Sequence, residues 1–328
     1  MFNWFKKSVT KASPQIEPGQ VMSGSSSQKN GLAAQDDADE QFQLGVRYGY
    51  GQGVTPDYAE ALKWYALAAA QGHAKAQMAL GILYEKGQGV TQDFAEALKW
   101  YLLVATQGQV VAQVKLGVMY LYGEGIAQDS AEAVKWFRLA AEQGNMLAQF
   151  HLGAMSSEGA GVAQDDTEAV KWSRLAAEQG HADAQFNLAV MYAKGKGATQ
   201  DYTEAEKWFR LAAEQGKADA QFNLGLMYAN GRGVKQDDIE ALKWYELAAE
   251  QGQSGAQFNL GVIYDKGRGV AEDDAEALKW YTLAAEQGQS GALFNLGAMY
   301  AKGQGVAQDD VEAAKWFLLA AEQGHGHL

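Results

Sequence analysis

Apolar positions along the chain fall into two helical stripes that alternate and recur. In residues 253–288, QSGAQFNLGVIYDKGRGVAEDDAEALKWYTLAAEQG, the side chains of Ala256, Leu260, Ile263 and Tyr264 sit at i, i+4, i+7 and i+8. That spacing predicts one apolar face of a first helix. Gly267 predicts its end, since glycine accepts the left-handed conformation of a helix C-terminus. Gly269 and Val270 continue the turn. A second stripe, Ala277, Trp280, Leu283 and Ala284, predicts a second helix that Gly288 ends. Asp273 precedes it, with Glu276 three residues on. This spacing predicts a capping box, the aspartate accepting from the N3 amide and the glutamate reaching back to the cap.

The same pattern returns every 36 residues, marked by Trp64, Trp100, Trp136, Trp172, Trp208, Trp244, Trp280 and Trp316. The Asp-x-x-Glu pair keeps step from Asp57/Glu60 to Asp309/Glu312. A fixed period of this length signals a stack of like units rather than one globular core. Eight copies occupy residues 37–324, leaving a leader, 1–36, and a tail, 325–328. One helix pair is too small to be stable alone, so stacking must bury its faces. Gly261 and Ala284 are expected to let helices approach closely, with the tryptophan filling the remaining space.

The recurring residues, LGxMYxxGxGVxQDxxEAxKWxxLAAEQG in the clearest copies, closely resemble the Sel-1-like repeat family, a variant of the tetratricopeptide-like solenoids. The resemblance covers residues 37–324, and most copies match its Leu-Gly, Tyr, Gly-x-Gly and Ala-Ala-x-x-Gly positions. It implies an all-α fold, a right-handed α-solenoid of eight helix-turn-helix repeats. It also implies a non-catalytic adaptor that holds other proteins, often in bacterial signalling, secretion or host contact. Family resemblance alone names no ligand.

Composition narrows the partner. The net charge is −13, and the leader carries Lys6, Lys7, Lys11 and Lys29 against Glu17 and Asp36. The leader is thus +2 and the remainder −15. An acidic array repels phosphates, which argues against nucleic acid. The chain has no cysteine, hence no disulfide, thiol nucleophile, thiolate zinc site or lipid-anchor cysteine. No apolar run has the length of a transmembrane helix or a signal peptide. The expected location is therefore the cytoplasm, with non-classical secretion left open. Phe2, Phe5 and Val9 share one helical face beside lysines, so a membrane-surface recruiter is the alternative reading. Residues 13–35 read as a disordered tether.

Catalytic chemistry is hard to place. The Gly-x-Gly pairs, Gly51/Gly53 onward, lack the preceding strand that a phosphate loop needs. A β-lactamase-like hydrolase would need Ser-x-x-Lys on a buried helix. Ser8/Lys11 and Ser26/Lys29 have that spacing but lie in the leader. The histidines, at 73, 151, 181, 325 and 327, do not group into a metal site. No cofactor, catalytic residue or metal ligand is expected.

What remains is surface that differs between copies. The third, seventh, tenth and fourteenth positions of each first helix form one stripe, and by analogy with tetratricopeptide arrays it lines the concave side. The first four copies vary there, giving Tyr50, Lys86, Lys115, Tyr122 and His151 as candidates for contact with a partner. In the last four copies the stripe settles into a ladder, Asn187, Asn223, Asn259 and Asn295, with Lys194, Lys266 and Lys302 nearby. The ladder reads either as a relic of duplication or as a clamp whose amides grip the backbone of an extended peptide. In the fourth copy Ser156 and Ser173 replace aromatics, so either a groove opens or neighbours collapse inward. Glu40 and Arg47 mark a polar cap on the first copy. The last copy ends in Trp316, Phe317, Leu318 and Leu319 without such a cap, which points to weak self-association through the C-terminal repeat.

Overall fold

The computed structural model describes residues 37–325. Sixteen α-helices and no strand lie among these described residues. The readings placed on the leader, and those on residues 326–328, lie outside them. The chain divides into two compact units between Ala148 and Gln149. The first holds α1 (Ala38–Tyr50), α2 (Tyr58–Ala70), α3 (Ala74–Lys86), α4 (Phe94–Thr106), α5 (Val110–Tyr122) and α6 (Ser130–Glu142). Helix α7 (Met146–Glu158) contains the division. The second continues with α8 (Asp166–Glu178), α9 (Ala182–Lys194), α10 (Tyr202–Glu214), α11 (Ala218–Asn230) and α12 (Asp238–Glu250). It closes with α13 (Ser254–Lys266), α14 (Asp274–Glu286), α15 (Ser290–Lys302) and α16 (Asp310–His325). Each odd-numbered helix pairs with the even-numbered helix after it, so every 36-residue copy is one helix pair.

Both helix ends follow from the sequence signals. Gly267 ends α13 in the left-handed region, φ +62°, with its amide on the Ile263 carbonyl. Asp273 caps α14 by accepting from Ala275 and Glu276 amides, both at 3.0 Å. The capping box forms only by half. The Asp273 amide donates instead to the Tyr264 carbonyl at 3.0 Å, which ties the two helices of the copy together. Glu276 turns outward to Lys279, 2.8 Å away. The second glycine of the loop, also left-handed, is a point of contact between copies. A Cβ on Gly233 would meet the Tyr202 carbonyl at the start of α10.

The core belongs to no single repeat. In the first unit, Ala61, Tyr65, Ala68 and Ala69 of α2 cluster with Ala76, Leu80 and Leu83 of α3. Phe42 and Val46 of α1 and Trp100 of α4 pack against that cluster. In the second unit Ala277, Tyr281, Ala284 and Ala285 of α14 pack with Ala292, Leu296 and Met299 of α15, with Trp316 against them. Each tryptophan in these clusters thus seals the core of the preceding copy. The small helical glycine seats a different ring from the one expected. A Cβ on Gly81 would lie 2.5 Å from Tyr101, and Gly261 faces Tyr281 in the same way. Trp280 is only half-buried and Leu283 is 37% exposed, while Tyr281 is 1% exposed. The buried face of the second helix is therefore Ala277, Tyr281, Ala284 and Ala285, one step out of phase with the stripe read from the sequence.

The fourth copy collapses rather than opening a groove. Ser156 and Ser173 are 1% and 3% exposed, and Trp172 is 4% exposed, as buried as Trp208 of the next copy at 5%. The Trp172 indole N–H donates to Glu168 at 3.0 Å.

A ladder of buried glutamines runs through each unit. Gln221 of α11 donates to the Ala213 carbonyl at the end of α10, 3.1 Å away. It accepts from Gln251, the residue after α12, at 2.7 Å. Gln77, Gln113, Gln185 and Gln257 make the same two bonds in their own copies. The amide satisfies one of the carbonyls that a helix C-terminus leaves open and joins consecutive copies. In the last copy Leu293 occupies the position and the ladder stops. Gln221→Leu should lower stability by about 1–3 kcal/mol, because it removes two hydrogen bonds, to the Ala213 carbonyl and from the Gln251 amide, at about 0.5–1.5 kcal/mol each. Urea unfolding measures the loss, and hydrogen exchange should place it at α10–α12. An unchanged midpoint would show that the ladder contributes nothing.

Candidate partner-binding surface

Helical phase decides which side chains a copy can offer. In the second unit the fourth, fifth, eighth and ninth residues of a copy are buried, as are Ala220, Gln221, Leu224 and Gly225 of α11. The seventh and fourteenth lie off that face, while the tenth packs on the edge of a core cluster, as Leu226 and Val262 do. In α9, α11, α13 and α15 they form three rows, each repeating at the 36-residue period. The first is Asn187, Asn223, Asn259 and Asn295, all half-buried. The second is Val190, Leu226, Val262 and Ala298, also half-buried, and the third is exposed Lys194, Asn230, Lys266 and Lys302.

The asparagines are not four equivalent amides. Asn223, Asn259 and Asn295 each sit one copy beyond an aromatic ring, whereas Asn187 follows Ser173. Where the ring is tyrosine the amide meets its hydroxyl, Asn259 with Tyr245 and Asn295 with Tyr281. Asn223 follows Phe209, which has no hydroxyl, and donates to its own helix at the Asp219 carbonyl, 2.7 Å away. Burial pushes the Tyr245 hydroxyl up to about 12, and the Asn259 bond pulls the other way. Part of the ladder therefore ties copies together.

The first-unit candidates divide in the same manner. Lys115 holds the seventh position of its copy and pairs with Glu85 at 2.8 Å, and Glu85 also accepts from the Tyr101 hydroxyl at 2.6 Å. The ammonium stands 5.9 Å from the Tyr101 ring. Its charge is spent on this node, which corrects the expectation of a cation held out for a partner. Tyr122 is half-buried, and burial followed by the charge of Glu124 pushes its hydroxyl up to about 12. Tyr50, 37% exposed, and Lys86 stand open to solvent.

His151 is the clearest correction. It lies at the seventh position of its copy but is 2% exposed, so it has no surface to offer. Phe150 lies against it at 5.5 Å between ring centroids and stacks on His181 at 4.3 Å. Burial first, and then the neighbouring His181, push the His151 imidazole down to about 3. The glutamine ladder is what reading the sequence missed. Its signal was present as a glutamine recurring within the buried stripe, from Gln41 to Gln257.

The Sel1 repeat family matches the chain eight times, at residues 41–73, 74–109, 110–145, 147–181, 182–217, 218–253, 254–289 and 290–325. The chain belongs to that family. A solved Sel1 repeat protein from Oxalobacter formigenes is 34% identical with a TM-score of 0.74, the match covering 97% of this chain and 96% of the other. The c5321 protein, a protective antigen present in uropathogenic Escherichia coli strains, displays an SLR fold. It is 39% identical with a TM-score of 0.75, over 89% of this chain and 70% of its own. No curated protein matches the chain in sequence. Sel1 repeat proteins are in general protein-interaction scaffolds. None of the described helices is long and apolar enough to cross a membrane.

Two outcomes follow. Asn259→Ala should cost about 0.5–1.5 kcal/mol of stability through the lost Tyr245 bond, whether or not a partner is present; thermal unfolding of the unliganded chain checks it. The His151 imidazole, held neutral in the fold, accepts a proton more readily when unfolded. Its contribution is complete above about pH 6.5, the ordinary histidine value, and is lost progressively as pH falls toward 3. His181 is also shifted down, first by burial, and adds in the same direction. The urea midpoint should fall between pH 6.5 and 4.5, and His151→Leu should flatten that fall. A variant as steep as the parent would contradict the assignment.

Proposed function

We propose that this chain is a non-catalytic scaffold that holds an extended segment of a partner protein along α9, α11, α13 and α15. The observation that carries this reading is the set of three rows kept in register through four consecutive copies of one unit. Such rows fit a partner that is itself periodic along its length, which an extended peptide is. The aliphatic row, Val190, Leu226, Val262 and Ala298, offers small apolar contacts. The exposed lysines beside it favour carboxylates on the partner. The asparagine row contributes most where its amides are least engaged with tyrosine, toward Asn187 and Asn223.

The test is selection of unstructured peptides on the full chain, followed by calorimetry on the enriched sequences. Acidic peptides with small apolar residues should be enriched. Leu226→Asp with Val262→Asp should abolish their binding, and Lys194→Glu with Lys266→Glu should weaken it at least tenfold, about 1.4 kcal/mol. Peptides that bind all of these variants as tightly as the parent would refute the reading.

A further inference from the structure

The even-numbered helices of the second unit carry an apolar row that the packing between copies does not use. In α12 the buried face is Ala241, Tyr245, Ala248 and Ala249. Leu247 lies two residues past Tyr245, about 200° around the helix, and so points away from the core. It is 45% exposed. Leu211 of α10 and Leu283 of α14 stand in the same place, each 37% exposed. All three belong to copies with a neighbour on either side, so the stacking of copies itself leaves them uncovered. One exposed leucine needs no explanation. A row kept in register through three consecutive copies presents an apolar stripe.

An acidic row runs beside it. Glu214, Glu250 and Glu286 lie three residues after the leucines, neighbours on the same helix surface, and all are exposed. Among the described residues none of the three has an ion-pair partner. The lysines of these helices, Lys207, Lys243 and Lys279, pair instead with Glu204, Glu240 and Glu276, at 3.3, 2.6 and 2.8 Å. The double row belongs to the second unit, since Leu67 and Leu103 of the first have Ala70 and Thr106 in that place. The adjacent glutamine amides are engaged. Gln215 and Gln251 each donate to another glutamine and to a leucine carbonyl of their own helix. The face therefore offers no free amide to an extended chain, and its occupant must satisfy its own backbone, as a helix does. Its glutamates repel the anionic headgroups of a membrane and attract lysine and arginine. We propose that a basic amphipathic helix of a partner protein docks on α10, α12 and α14, its apolar stripe on Leu211, Leu247 and Leu283 and its cations on Glu214, Glu250 and Glu286.

Selection of a helical peptide library on the full chain tests this. Enriched peptides should carry leucine or isoleucine on one face with lysine or arginine beside it, and their binding should weaken as salt rises. Leu211→Gln with Leu247→Gln and Leu283→Gln should weaken that binding roughly tenfold. Glu214→Gln with Glu250→Gln and Glu286→Gln should weaken it too and flatten the salt dependence. All six side chains are exposed, so circular dichroism and the urea midpoint should match the parent's. Lys194→Gln with Lys266→Gln, on the odd-numbered helices, should leave this binding unchanged, which separates the two surfaces. Failure to enrich any helix, enriched helices without cations, or binding that survives both triple variants would overturn the proposal. So would flotation with phosphatidylserine vesicles that the leucine variant loses, since that result assigns the face to a membrane.

Discussion

Every helix pair in this protein is completed by a neighbour. The controlling contact is an aromatic ring on the second helix of a copy, seated on a glycine of the first, as Tyr101 sits on Gly81. At Gly81 a Cβ would lie 2.5 Å from the Tyr101 ring. The seated ring then forms the floor on which the following copy packs. Because the cluster around Tyr65 reaches from α1 to α4, inserting or deleting one residue would misplace two interfaces at once. That is a physical reason for a period that never slips. Copy five departs from this seat, with Ala189 at the glycine position and Phe209 still only 2% exposed.

Polar groups follow the same logic of neighbours. The glutamine ladder serves helix C-termini from inside the array, where water does not reach them. Positions facing away from both the ring and the ladder are the ones free to differ, and the surface proposed for a partner lies there, on the odd-numbered helices. Yet that freedom is partial. The seventh position touches the preceding copy's ring, and the side chain found there answers it. Lysine meets the Tyr101–Glu85 pair and asparagine meets the Tyr245 and Tyr281 hydroxyls.

Much of the fold was legible in the sequence, because a 36-residue period compares each signal with seven others. Helix ends, aspartate caps and the polar first copy were readable from glycine, aspartate and the pair Glu40/Arg47. The second helix was misphased because Trp280 and Tyr281 are adjacent and both apolar, and hydrophobicity alone does not say which ring points inward. The missed ladder has a similar cause, since a buried glutamine looks polar until its two partners are located, one eight residues back and one thirty ahead. The candidate surface was the least legible part. Lys115 and His151 vary between copies as a binding surface would, but their variation tracks internal partners and burial.

The central claim is that stability resides between copies and not within them. Chains built from two, three and four consecutive copies of the second unit test it most directly by equilibrium urea unfolding. If neighbours complete one another, stability and the denaturant slope should both rise by a near-constant step with each added copy, and the shortest chain should be marginal or unfolded. A two-copy chain as stable as the four-copy chain would contradict the account.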